Sequence, residues 1–97
     1  MQTIDQIKEL IRQNKDDLRL QYGVREIGIF GSFAKGTQKA GSDLDILIEF
    51  EKPIGFVRFM RLESRLSELF GIRVELVTKN ALKPYIGQRI LREVIYV

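Results

Sequence analysis

The side chains of this sequence that could do chemistry are concentrated in residues 31–50. Gly31 and Ser32 follow a short apolar stretch, and after ten further residues come Asp43 and Asp45. A Gly-Ser turn between a strand and a helix can bind phosphate oxygens through backbone N–H groups and the serine hydroxyl. Two carboxylates two residues apart on a strand share one face, with Cα atoms roughly 6.5–7 Å apart. Such a pair could bind two divalent cations.

The residue types that the sequence lacks narrow this chemistry further. It has no histidine and no cysteine, which excludes imidazole bases, thiolate nucleophiles and histidine- or cysteine-bound zinc. Any bound metal must therefore be held by oxygen ligands, which favours magnesium, manganese or calcium. A general base must be an aspartate or glutamate, or less readily a lysine or tyrosine.

Other interpretations of this segment are weaker. Gly31 and Gly36 have the glycine spacing of a P-loop, but Thr37 stands where the P-loop lysine belongs. An EF-hand loop would need further oxygen ligands after the aspartates, where the sequence instead has apolar residues beginning at Ile46. A turn followed by a strand with two merely solvated aspartates also remains open. Because turn, spacing and strand agree, we favour the functional interpretation.

The hydrophobic pattern predicts the elements that must position these residues. The order αβ(α)βαβα indicates an α/β fold, in which a small mixed sheet of about three strands is flanked by helices. The length of 97 residues corresponds to a single domain. The predicted helices run from Thr3 to about Gln21, from Phe56 to Phe70 and from Pro84 close to Val97, and the strands are Val24–Phe30, Asp43–Phe50 and Ile72–Thr78.

The helix from Phe56 carries two further patterns. Arg58, Arg61 and Arg65 fall on one stripe, which we interpret as a solvated face with Glu68 pairing to Arg65, although phosphate or an acidic partner could also bind there. Apolar residues cover about half of the same helix, more than one sheet face needs. Any excess that remains exposed would mark a protein interface, whereas full burial would make it core.

Composition and charge limit the partners. The net charge of +3 is compatible with binding of a nucleotide, but it is too small to favour direct binding of nucleic acid. No apolar run approaches the roughly 20 residues that span a bilayer, so no membrane partner is predicted. The amino terminus does not resemble a signal peptide, and we predict a cytoplasmic protein.

Gly31-Ser32, ten intervening residues and then Asp43-x-Asp45 resemble the signature of the nucleotidyltransferase superfamily typified by DNA polymerase beta. The chain length and the segment at residues 73–78 resemble more narrowly the minimal nucleotidyltransferases (MNT). The likeness covers nearly the whole chain and identifies residues 1–97 as one nucleotidyltransferase domain. These small proteins typically act as antitoxins that pair with a helical ribonuclease toxin of the HEPN class.

The resemblance implies an enzyme that transfers AMP from ATP to a hydroxyl of a cognate HEPN toxin, with tyrosine as the expected acceptor. The transfer would neutralise the toxin in a hetero-oligomer. Gly31 and Ser32 would contact the triphosphate. Asp43 and Asp45 would bind two magnesium ions, for which manganese could substitute. A toxin-binding protein without catalysis and transfer to an RNA 3′ end remain alternatives.

The family's third carboxylate corresponds by this resemblance to Glu75, a glutamate where aspartate is usual. The alternation of its strand independently places Glu75 opposite the apolar positions that include Val74 and Leu76. If the second and third strands are neighbours, Glu75 shares a face with Asp43 and Asp45. It is then expected to be a metal ligand or the base for the acceptor, although a solvated glutamate is the other interpretation.

Overall fold

The computed structural model describes residues 3–82 and 84–97, and it shows an α/β fold with a mixed sheet flanked by helices. The strands lie in the order β3-β2-β1-β4; β1 is antiparallel to β2 and β4, and β2 is parallel to β3. The predicted fold class is therefore confirmed, with one strand more than expected. The elements are α1 (Ile4–Tyr22), β1 (Val24–Phe30), α2 (Gly31–Lys35), β2 (Leu44–Phe50), α3 (Phe56–Phe70), β3 (Val74–Thr78), a 3₁₀ turn (Lys79–Ala81), α4 (Pro84–Glu93) and β4 (Ile95–Tyr96).

Helix α1 begins and ends where its sequence signals predict. The Thr3 side chain accepts a hydrogen bond from the Gln6 backbone N–H, and the Gln6 side chain accepts one from the Thr3 backbone, which forms a complete capping box. Gly23 ends the helix in the left-handed conformation, at a φ of 71°. Helix α3 ends in the same way at Gly71.

The end of the chain differs from the prediction of a helix reaching close to Val97. Helix α4 ends at Glu93, and residues 95–96 form β4, which pairs with β1. Gly28 of β1 explains this pairing, because a Cβ atom at Gly28 would lie 2.5 Å from Val94 Cγ2 and 3.3 Å from the Ile95 carbonyl oxygen. The absence of a side chain thus leaves room for the returning strand, and the Val97 N–H donates to the Ile27 carbonyl oxygen at 3.0 Å.

The hydrophobic core lies between one face of the sheet and helices α1 and α3. Leu62, Leu66 and Phe70 of α3 are fully buried against the alternate apolar residues of the strands. The strands contribute their inward positions to this core: Val24, Ile27, Ile29, Leu44, Ile46, Ile48, Val74 and Leu76. The opposite face of β2, which carries Asp45, is therefore left for other contacts.

Helix α3 also closes the outer edge of β3, the last strand of the sheet on that side. Ser67 Oγ accepts a hydrogen bond from the Val74 N–H, and Glu63 Oε2 accepts one from the Leu76 N–H, each at 3.0 Å. These side chains satisfy backbone donors that an edge strand would otherwise leave without a protein partner.

The arginine stripe of α3 mainly joins α3 to α1. Arg65 forms an ion pair with Asp17 at 2.8 Å, and Arg58 donates to the Gln21 carbonyl oxygen. The expected pairing of Arg65 with Glu68 is therefore wrong, because the carboxylate of Asp17 reaches Arg65 from the neighbouring helix. Across residues 3–82 and 84–97, every helix is too short or too polar to cross a membrane.

Candidate active site

The turn between β1 and α2 holds Gly31 in a backbone conformation that favours glycine. Its φ is +72°, so the chain turns sharply from Phe30 at the end of the strand into the five-residue helix α2. Ser32, the second residue of α2, is partly buried. Its hydroxyl makes no hydrogen bond with the described part of the chain and is available to donate one.

The carboxylate of Asp45 lies directly against this turn. Asp45 is the register partner of Phe30, and a Cβ atom placed on Gly31 would lie 2.1 Å from Asp45 Oδ2 and 3.0 Å from its Cγ. No other residue type could occupy position 31 without displacing the Asp45 side chain. Glycine is therefore required here by the neighbouring carboxylate as well as by φ.

Glu75 is the register partner of Asp45 on the parallel strand β3, so the two carboxylates lie on the same face of the sheet. The pKa of Asp45 is raised to about 6, most strongly by burial and then by the charge of Glu75, a hydrogen bond with the Glu75 side chain and the charge of Asp43. The two carboxylates are thus neighbours on this face of the sheet, and their negative charges repel each other.

Asp43 lies immediately before strand β2. Strand β2 begins one residue later, at Leu44, whose N–H donates to the Arg73 carbonyl oxygen at 2.8 Å. Asp43 lines a cavity of about 610 Å³ together with Lys39 and Arg73. The charge of Asp43 contributes to the raised pKa of Asp45, so the two carboxylates are close enough to interact.

Asp45 and Glu75 line a second cavity, of about 320 Å³, at the surface covered by the 3₁₀ turn and α4. Sequence analysis did not identify the apolar residues of its wall, because the turn and α4 meet this face of the sheet only in the folded chain. Val77 was the one residue of this wall that the sequence could have indicated, because it lies two residues after Glu75 and so on the same face of β3. The apolar residues of the wall are Phe30, Val77, Ala81, Leu82 and Ile90.

The donor atoms of this site suit a hard divalent cation. Asp45 and Glu75 offer carboxylate oxygens whose mutual repulsion a cation would relieve, and magnesium and manganese prefer such ligands. Within the described ranges, no three acidic side chains are gathered into one cluster. The adjacent Asp45–Glu75 pair is therefore the centre of the candidate metal site, with Asp43 beside it.

The basic residues near the site have separate roles. Lys35 at the end of α2 pairs with Glu93 of α4 at 3.3 Å and so joins the two helices. Lys39 lies in the Asp43 cavity. Lys79, which sequence analysis did not single out, lies 3.4 Å from Glu49 and 5.9 Å from the centre of the Tyr96 ring. These contacts attach the 3₁₀ turn to the sheet.

Comparison with known proteins agrees with this arrangement. Residues 6–97 match the family model of the nucleotidyltransferase domain. The chain is 45% identical over 97 residues to the protein adenylyltransferase MntA of Thermococcus cleftensis, covering 100% of this chain and 98% of that protein.

Two solved structures share the fold. One, described as a candidate minimal nucleotidyltransferase, has a TM-score of 0.74 and 32% identity, covering 92% of this chain and 93% of its own. The other is a tri-AMPylated Shewanella oneidensis HEPN toxin in complex with its MNT antitoxin. It has a TM-score of 0.62 and 18% identity, and the match covers 95% of this chain and 66% of the chain in that structure. The chain therefore belongs to the minimal nucleotidyltransferase branch of the nucleotidyltransferase domain family, and it is a nucleotidyltransferase.

Proposed function

We propose that this nucleotidyltransferase is an antitoxin that transfers AMP from ATP to a tyrosine hydroxyl of a cognate HEPN-type ribonuclease toxin and thereby neutralises it. The reaction depends on magnesium, with two ions bound and manganese as a substitute. The enzyme works in the cytoplasm in a hetero-oligomer with its toxin. Two names support this proposal: the T. cleftensis relative is called a protein adenylyltransferase, and the Shewanella complex holds an AMPylated HEPN toxin.

The observation that carries the proposal is the contact of Asp45 with both the Gly31 turn and Glu75. This contact brings a phosphate-binding type of turn and two carboxylates to one place. In the proposed reaction, the Gly31 backbone and the Ser32 hydroxyl bind the triphosphate, and Asp43, Asp45 and Glu75 are the metal ligands. The bound ions would neutralise charge on the transferred phosphoryl group and favour ionisation of the acceptor hydroxyl.

Glu75 has a second role in this proposal, because it is exposed whereas Asp45 is partly buried. An exposed carboxylate beside the reacting centre can accept the proton of the acceptor hydroxyl and release it to solvent. Positioning of the reactants supplies most of the remaining rate enhancement, as in other phosphoryl-transfer enzymes.

Intact-mass spectrometry tests the reaction directly. A purified cognate HEPN protein is incubated with this chain, ATP and magnesium, with EDTA in a parallel sample. We expect the toxin mass to increase by one or more AMP units only when magnesium is present, and tandem spectra to place them on tyrosine. An unchanged toxin mass would contradict the proposal.

Neutralisation by contact alone is a second candidate, favoured by an apolar surface on α3. The exposed fractions of Phe56, Val57 and Met60 are 77%, 62% and 44%, and these residues line a shallow cavity of about 530 Å³. Surfaces of this kind often bind proteins. Suppression of the ribonuclease by the chain without any increase in toxin mass would support this second function.

A further inference from the structure

Two charged residues of α3, Arg61 and Glu68, are exposed and have no ion pair or hydrogen bond with the described part of the chain. The other charged residues of this helix do have partners: Arg58 and Arg65 contact α1, and Glu63 contacts β3. Because Arg61 and Glu68 are seven positions apart, they lie on the same side of the helix, two turns from each other. The fold therefore leaves one positive and one negative group on this side.

The same side of α3 carries the apolar surface formed by Phe56, Val57 and Met60, which are all exposed. Ser64, also exposed, follows this surface one turn further along the helix. These four residues and the two charged residues all line the shallow cavity of about 530 Å³. The exposed side of α3 is thus a shallow concave strip, with large apolar side chains at its start and a carboxylate near its end.

A second α3 helix in the antiparallel direction is complementary to this strip. If a two-fold axis passes by Ser64, Arg61 lies about 4.5 Å before the axis along the helix and Glu68 lies about 6 Å after it. Arg61 of each copy then lies beside Glu68 of the other copy, and the ion pair forms twice. Serine at the crossing point is small enough for the helix axes to approach to about 8–10 Å.

We propose that the exposed side of α3 is a homodimerisation surface, on which a second copy of this chain packs antiparallel about a two-fold axis at Ser64. The second half of each helix would cover Val57 and Met60 of the other copy and remove them from water. A parallel arrangement is disfavoured, because it would bring identical charges to the same level along the two helices. The carboxylates of the candidate active site lie on the other face of the sheet, so they would remain accessible in the dimer.

The size of the surface indicates a weak dimer. Helix α3 has 15 residues, so its exposed side is about 22 Å long and about 10 Å wide. This area is well below the roughly 800 Å² that each partner buries in a standard interface. We expect a dissociation constant on the order of 10⁻⁴ M. A protein that binds the same surface more tightly would displace the second copy.

Sedimentation equilibrium of the full chain tests the pairing through its charges. We expect the wild type to dimerise reversibly, and expect Arg61→Glu or Glu68→Arg alone to raise the dissociation constant about fivefold or more. The double variant Arg61→Glu/Glu68→Arg restores both ion pairs in the opposite sense and should dimerise like the wild type. Lys8→Glu, a charge reversal on α1, is the control.

A disulfide across the axis tests the geometry, because the chain has no cysteine of its own. In Ser64→Cys the two thiols of a dimer would meet at the axis, so oxidation by air should link the copies roughly tenfold faster than in Leu20→Cys. Leu20 is the matched control, since it is 85% exposed on α1.

Four results would overturn the proposal. The first is a wild type that remains monomeric at roughly 1 mM, about tenfold above the expected dissociation constant. The second is a dimer that neither single charge reversal weakens, which would place the contact elsewhere on the chain. The third is a double variant that dimerises no better than the single variants, and the fourth is equal rates of cross-linking by Ser64→Cys and Leu20→Cys.

Discussion

The Asp45 carboxylate lies against the Gly31 turn, and the negative charges of Glu75 and Asp43 repel it. A pKa near 6 in the folded chain, against 3.8 for an ordinary aspartate, means that the native state binds more protons than the unfolded state between these values. The free energy of unfolding of the metal-free protein therefore includes a contribution from Asp45 that falls as pH rises through this window. Above pH 6 the ionised carboxylate destabilises the fold.

We expect Asp45→Asn to remove this pH dependence. The asparagine should stabilise the metal-free protein relative to wild type at pH 7.5, and much less at pH 4.5, where the native aspartate is already protonated. Urea unfolding in EDTA at both pH values measures the effect. Asp16→Asn, at an exposed position of α1, is the control for the substitution of an aspartate by asparagine. An equal effect of Asp45→Asn at both pH values would contradict the raised pKa of Asp45.

Gly31 and Gly36 provide a matched pair for testing the contact with Asp45. Their φ values are +72° and +73°, but a Cβ atom at Gly36 meets no atom within 4 Å, whereas at Gly31 it meets Asp45 Oδ2. Alanine at either position should cost about 1–2 kcal/mol of stability through backbone strain. We expect Gly31→Ala alone to abolish the stabilisation that magnesium gives in thermal unfolding, because it displaces Asp45. Equal loss in both variants would show that backbone strain is responsible.

Substitution of Glu75 should affect catalysis and binding to different extents. Glu75→Gln keeps the size of the side chain but removes its charge, so we expect the rate of AMP transfer to fall roughly 10²–10⁴-fold. Binding to the toxin should be retained, and ATP affinity should change much less than the rate, because Gly31 and Ser32 remain. Single-turnover transfer and toxin titration measure the two effects. A wild-type transfer rate would show that Glu75 is only a surface residue.

At the scale of elements, local signals predicted most of the secondary structure. The Thr3 capping box, the glycines at 23 and 71, and the apolar positions of β2 at Leu44, Ile46 and Ile48 are each determined by a few neighbouring residues. The missed strand β4 has two residues, and its pairing depends on the space at Gly28, about 67 positions earlier in the chain. Such a pairing has no local signal, and the helical pattern before it continued without interruption.

The cap that α3 places on the edge of β3 also depends on distant residues, and it can be tested. Glu63→Ala leaves the Leu76 N–H without its acceptor, so we expect a loss of about 1–3 kcal/mol in the free energy of unfolding. Glu63→Gln retains an oxygen acceptor and should lose less. Glu68→Ala, at an exposed position of the same helix, is the control. Urea unfolding measures the stabilities of the three variants. Equal stability of Glu63→Ala and Glu68→Ala would contradict the role of Glu63 as the acceptor for the Leu76 N–H.

At the scale of the whole molecule, the sequence predicted the positions of the carboxylates better than it predicted the cavities around them. It placed Asp45 and Glu75 on one face, and the structure pairs them in register. It did not predict that Asp43 would line a cavity with Lys39 and Arg73, since this depends on how the chain before β2 packs beside Arg73. It did not find the cavity lined by Asp45 and Glu75, because the apolar part of its wall is assembled from β1, β3, α4 and the residues around the 3₁₀ turn.

The two faces of the sheet have different roles, one in the hydrophobic core and one in the candidate active site. Helices α1 and α3 cover the core face, and the opposite face carries Asp45 and Glu75 beneath the 3₁₀ turn and α4. The exposed apolar surface at Phe56, Val57 and Met60 belongs to α3, on the core side. Contact with a protein partner through this surface would therefore leave the entrance to the carboxylates free.

This separation predicts that binding and chemistry can be impaired independently. Met60→Asp places a charge in the exposed surface of α3, so it should weaken affinity for the HEPN toxin about tenfold or more. Its melting temperature should stay close to wild type, since Met60 lies outside the buried core. Leu91→Asp adds the same charge at another exposed apolar position, on α4, and should affect affinity less. Calorimetric titration of Met60→Asp and Glu75→Gln with the toxin should then give weak binding for the first and near-normal binding for the second. Normal binding by Met60→Asp would show that the toxin docks elsewhere.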